Sequence, residues 1–137
     1  MNHVVRIEAT GGPEVLRWTE VPTPVPGAGE ALVRQTAVGV NFIDIYQRSG
    51  LYKVNLPLVV GQEGAGVVEA VGEGVSAVKV GDRVVYQGTL GGYAEYRTIA
   101  ADRLIPIPEG VDDRTAAAVC LKGLTAYCLL RRTFDVG

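Results

Sequence analysis

The chain has 137 residues, 47% of them apolar and 20% charged, with a formal net charge of −2. That length suits one globular domain, able to bury roughly two thirds of its unfolded surface, and no cationic cluster longer than Arg131-Arg132 argues for a nucleic-acid surface. No apolar run approaches the ~20 residues of a membrane span, and the opening MNHVVRIEATGG lacks the apolar core of a signal peptide, so the expected compartment is the cytoplasm.

Residues 4–9 and 14–21 are short β-type runs split by Gly11-Gly12-Pro13, a hairpin-like signal. His3, the only histidine, lies near the terminus in the first run and is not expected to serve as a catalytic base. PTPVPGAGE is loop, because three prolines and two glycines continue neither helix nor ladder. A longer strand is expected over 30–40. In NFIDIYQRS, Asn41 is placed to cap a helix in which Phe42, Ile45 and Tyr46 recur at helical spacing before Gly50. Asp44 and Arg48 stand at i,i+4, the spacing of a plain helical ion pair. The run PLVV reads as a strand leading to Gln62, and four more strands are expected over 64–71, 82–87, 92–99 and 103–107.

DDRTAAAVCLKGLTAYCLLRR reads as a helix opened by Asp112-Asp113, interrupted at Gly123 and closed by two arginines that suit its dipole. Its apolar face (Ala116, Ala117, Val119, Cys120, Leu121, Leu124) is wider than a lone barrel requires. Cys120 and Cys128 fall ~12 Å apart along such a helix, beyond disulfide reach, and are read as buried free thiols. The closing FDVG looks like the start of a further connection. Six or seven short strands followed by one long helix predict a barrel or sandwich, mainly β with α.

Two glycine-rich readings fail on context. Gly72-Glu73-Gly74-Val75-Ser76-Ala77 satisfies a dinucleotide fingerprint formally, but VKVGDRVV follows it as turn and strand, with no helix N-terminus to hold a pyrophosphate. GQEGAG has no cysteine or histidine neighbours with which to build a zinc site, and no Ser-His-Asp or Cys-His set exists.

Taken in order, GGPEVLRWTEVP, GVNFIDIYQRSGLY, PLVVGQEGAGVVEAVGEGVSAVKVGDRVVY, GGYAEYRTI and KGLTAYCLL span essentially the whole chain. As a set they closely resemble the N-terminal part of zinc-free quinone oxidoreductases of the zeta-crystallin type, in the medium-chain dehydrogenase/reductase superfamily. The resemblance implies a GroES-like, partly closed β-barrel over residues 1–110. Residues 111–137 are then a helical connection toward an NADPH-binding Rossmann domain that this chain does not contain. Zinc-dependent members of that superfamily carry Cys where this chain has Asn41 and His where it has Gln62, so a zinc-free reaction with no metal ligands is implied.

Carried over position by position, Tyr46 and Tyr52 are implied as catalytic residues of the quinone pocket, and Asn41, Gln62, Lys122 and Thr125 as cofactor contacts. Each also has a plainer reading. These are an N-cap for Asn41, core packing for Tyr46, a surface loop for Tyr52, a scaffold contact for Gln62, a solvent-facing side chain for Lys122 and back-bonding to the helix for Thr125. Glu63 reads as a structural polar anchor. The resemblance implies NADPH-dependent quinone reduction by a full-length homodimer, with this chain inactive alone. Reduction of an enone or alkenal and a non-catalytic barrel module remain open beside it.

Overall fold

The structure is a computed structural model describing residues 1–133, and FDVG, read above as the start of a connection, lies outside them. β1 (Asn2–Ile7) pairs antiparallel with β2 (Arg17–Val21) on one edge and β4 (Leu58–Val59) on the other. The strand expected over 14–21 begins late because Pro13–Val15 form a 3₁₀ turn. Proline favours that first helical position, since its fixed φ fits and its missing N–H is not needed there.

A second, five-stranded antiparallel sheet takes the order β7-β3-β5-β6-β8, where β3 is Glu30–Gly39, β5 Glu63–Val71, β6 Arg83–Gln87, β7 Tyr96–Ala100 and β8 Ile105–Pro106. β7 starts four residues later than expected, and only two residues of the expected 103–107 strand pair. In place of the rest, Ala101–Arg103 form a 3₁₀ turn. The β3–β5 ladder slips register at Leu32/Val33 and again at Gln35/Ala37, and such bulges bend a strand. The two sheets are joined where Val4 bridges Ala94 and the Val5 N–H donates to the Tyr93 carbonyl at 2.8 Å. Bent strands and that seam make the partly closed, GroES-like barrel that the sequence leads one to expect.

Inside it, Val33, Val68, Val84, Tyr86 and Ile99 form the main core. Successive strand residues face opposite sides, so Val85 points outward from β6. It is buried nonetheless, because α2 (Asp113–Cys128) lays Ala116 and Ala117 over Ala65, Val85 and Ile107. The expected interruption at Gly123 is absent: α2 continues through it and changes only at Leu129, where a π-helical turn runs to Thr133. One glycine costs about 1 kcal/mol of helix propensity and removes no backbone hydrogen bond. The thiol reading is corrected for one cysteine, since Cys120 is half-buried against the barrel whereas Cys128 is exposed. Among the described residues, no helix is long and apolar enough to cross a membrane.

Candidate active site

The ends of three strands meet at one level, with Gly39 of β3 opposite Glu63 of β5 and Glu63 opposite Gln87 of β6. From Gly39 the chain passes through Val40 and Asn41 into α1 (Phe42–Ser49), so Asn41 and Gln62 leave the sheet side by side. Asn41 is the N-cap, and its backbone N–H donates to Asp44 Oδ2 at 2.9 Å. Its side-chain Nδ2 is buried with no acceptor in the protein.

The expected Asp44–Arg48 pair does not form. Asp44 is turned inward, 4% exposed, and takes the Tyr93 hydroxyl proton at 2.8 Å as well as the Asn41 N–H. Spacing on the helix surface is overridden because the carboxylate satisfies the helix start and the hydroxyl of Tyr93, which packs beside Val60 and Gly61. Burial first, then the hydrogen bond and charge of Asp44, push the Tyr93 phenol far above its ordinary range, so Tyr93 stays a donor.

Tyr46 and Tyr52 come together as an aromatic shelf at the far end of α1. Their ring centroids are 5.4 Å apart and tilted by 58°, and the Tyr52 N–H donates to the Tyr46 carbonyl at 3.0 Å. Phe42 extends the shelf at 6.3 Å from Tyr46. Tyr52 is half-exposed and borders a cleft shared with Gln47, Lys53, Asn55 and Leu90.

Gln62 is half-buried, and its carbonyl accepts the Gly88 N–H at 2.9 Å. Gly61 before it has φ +91°, and the Tyr93 backbone N lies 2.8 Å from where a Cβ would stand, so only glycine brings the chain past Tyr93 at this point. The next residue, Glu63, is fully buried. Its carboxylate occupies the space left by the missing side chain of Gly39, and its Oε1 accepts from Lys122 Nζ at 2.8 Å, while Oε2 has no partner. Burial first, then the Glu63 charge, push the neighbouring Cys120 thiol upward. Thr125, one turn beyond Lys122, is exposed and donates its hydroxyl proton to the Leu121 carbonyl at 2.8 Å, the back-bonding alternative.

The structure thus pairs Lys122 with Glu63, which follows Gln62 in the chain and stands opposite Gly39, two residues before Asn41, sets Tyr46 against Tyr52, and leaves Thr125 exposed on α2. Sequence reading missed two contacts that shape the site, Tyr93 with Asp44 and Glu63 with Lys122. They join residues 49 and 59 apart, and no local spacing signals either. Among the described residues, no three His, Cys, Asp or Glu side chains come together as a metal-binding group.

Residues 27–109 match the alcohol dehydrogenase GroES-like domain. The chain is 50% identical over 134 residues to a quinone oxidoreductase of Pseudomonas aeruginosa, covering 96% of this chain and 41% of that protein. It is 43% identical over 137 residues to a 2-haloacrylate reductase of a Burkholderia species, covering 95% of this chain and 41% of that one. A crystal structure of Escherichia coli quinone oxidoreductase complexed with NADPH superposes with a TM-score of 0.94 at 45% identity, over 97% of this chain and 41% of that one. This chain therefore spans about two fifths of the length of the relatives it matches. With residues 27–109 matched by the family and the fold matched over nearly its whole length, the chain belongs to the alcohol dehydrogenase GroES-like domain family and is similar to the N-terminal part of quinone oxidoreductases.

Proposed function

We propose that the chain is the substrate-side half of an NADPH-dependent quinone reductase that works without zinc, inactive by itself. The observation that carries this reading is the pair of side-chain amides, Asn41 and Gln62, leaving the sheet at the centre of the site. Zinc is held by thiolate, imidazole or carboxylate, and amides do not fit it. A nicotinamide carboxamide does fit, because the Asn41 Nδ2 is a buried donor without an acceptor, an arrangement that costs about 1–3 kcal/mol until a ligand oxygen completes it.

When bound, the cofactor supplies a hydride. Asn41 would hold the cofactor by donating to its carboxamide oxygen. Thr125, whose own proton is committed to Leu121, would have only its acceptor oxygen left to offer. Gln62 and Lys122 close the same side. Tyr46 and Tyr52 give the quinone a flat platform and phenolic protons to orient its oxygens. A quinone needs no Lewis acid because its reduced product is aromatic. Residues 1–110 form the catalytic-side domain in this reading, with α2 leading toward a nucleotide-binding domain. The full-length protein is a cytoplasmic homodimer whose partners are small quinones.

A second reading, reduction of an activated C=C bond in an enone or alkenal, is favoured by the likeness to the 2-haloacrylate reductase. NADPH oxidation by the native full-length protein, followed with 1,4-benzoquinone and with an enone before and after EDTA dialysis, separates the possibilities. Quinone turnover that survives dialysis and has the higher kcat/KM is expected, together with none from the isolated 137-residue chain. Loss on chelation sinks the zinc-free reaction, a higher kcat/KM for the enone favours the second reading, and no turnover with either leaves a non-catalytic module.

A further inference from the structure

The Glu63–Lys122 pair differs from the other ion pairs described. Arg6–Glu8 and Arg34–Glu69 are open to solvent on both sides, whereas here the carboxylate is fully buried and the lysine side chain remains 53% exposed. Burying a carboxylate is costly unless a cation and hydrogen bonds compensate it, and among the described residues Lys122 is the only side chain that pairs with Glu63. The pair also sits at a particular place. Glu63 follows Gln62 directly and faces Gly39, two residues before Asn41. Lys122 lines a cleft with Gly39 and Val40 of that same strand end. The ammonium is therefore tethered on its inner side by Glu63 and open on its outer side, in the cleft whose Gly39 and Val40 lead directly into Asn41. The other ionisable group on this cleft is Arg114 of α2, and Thr36 of β3 is its neutral polar member.

Resting on the quinone-reductase reading, we propose that Glu63 is a positioning residue that holds the Lys122 ammonium as the fixed cation of the site, where it stabilises the negative charge that builds on a substrate carbonyl oxygen during reduction. A charge aimed where charge develops costs no reorganisation when the reaction occurs. In this role Lys122 takes up part of the task that a metal performs in a metal-dependent carbonyl reduction.

The probe is 4-nitrophenol, whose ionised form alone is yellow, titrated against the native full-length protein without cofactor. The bound dye is expected to ionise about one pH unit below free dye, a tenfold preference for the phenolate. Lys122→Met removes the preference and lowers kcat for benzoquinone on the order of tenfold or more. Glu63→Gln weakens both effects while leaving the lysine present, and Lys122→Arg restores most of both. An unchanged dye midpoint and kcat in Lys122→Met, with only the thermal midpoint lowered, reduces the pair to a latch for α2 and overturns the proposal. So does the absence of any phenolate preference in the unaltered protein. Phenolate preference without quinone turnover keeps the cation and removes only the quinone reading.

Discussion

Tyr93 donates its hydroxyl proton to Asp44 at 2.8 Å, and the same carboxylate receives the Asn41 N–H at 2.9 Å. One phenol thereby fixes the acid that fixes the start of α1 at the Asn41 backbone. Gly61, with φ +91°, lets the chain pass close enough for the Tyr93 ring to take that position. Tyr93→Phe removes a hydrogen bond to a charged group and leaves Asp44 under-satisfied in a buried place. A loss of about 1.5–3 kcal/mol is expected, read as a lower midpoint in urea with an unchanged slope. A variant as stable as the parent would show that Asp44 finds water instead. The cap at Asn41 was legible in the sequence, but the contact that fixes it was not. The visible pattern was Asp44 four residues before Arg48, whereas the actual partner is Tyr93, 49 residues away. What was legible at this scale was the type of residue at each position, above all the amides at 41 and 62.

Elements were easier to read than their ends. The run of strand-forming residues located β3, β5 and β6 closely, because each carries several buried residues, while β2 and β8 were misjudged where a 3₁₀ turn replaces part of the run. The cap at the start of α2 was legible, but how the helix is clamped to the barrel was not, since those partners come from other elements. Asp113 accepts from Thr36 Oγ1 at 2.6 Å and from Arg83 Nε at 2.9 Å, while Asp112 caps the helix by accepting the Thr115 N–H at 2.9 Å. Burial alone raises the Asp113 carboxyl, but the hydrogen bonds from Thr36 and Arg83 and the Arg83 charge outweigh it and leave the group below its ordinary value. A carboxyl lowered in the folded state contributes stability that is complete above its unfolded value, ~3.9, and lost as pH falls through the folded one. Glu14, Asp82, Glu95 and Asp112 are held low by hydrogen bonds as well and act in the same direction. Urea midpoints followed by far-UV circular dichroism should therefore change little between about pH 7 and 5 and fall steeply below about pH 4. Asp113→Asn should be less stable at neutral pH and show a shallower acid dependence. An identical acid limb in the variant would assign the acid loss to the other four carboxylates.

At the scale of the whole molecule, the barrel was legible because its strands announce themselves by period and glycine, and the direction of the α2 apolar face was not. The sequence shows a broad apolar face, but the barrel uses only the alanine side of it, with Ala116 and Ala117 buried and Cys120 packed against them. Leu124 and Tyr127, three residues apart and so neighbours on the helix surface, remain 42% and 53% exposed, and Leu129 and Leu130 beyond them are 56% and 51% exposed. Apolar side chains left open in a row favour association. The 137-residue chain on its own is therefore expected to associate through this face, giving a light-scattering mass that rises with protein concentration. Replacing Leu124 and Tyr127 together by lysine places two charges in the contact while touching none of the barrel's buried residues, so the fold should survive and the mass should fall to that of one chain. A parent chain that stays monomeric at every concentration would mean that the open face carries no attraction of its own. If instead the double variant associates as strongly as the parent, the contact lies elsewhere, and the cleft lined by Trp18 and Val40, at 66% and 70% exposure, becomes the surface responsible.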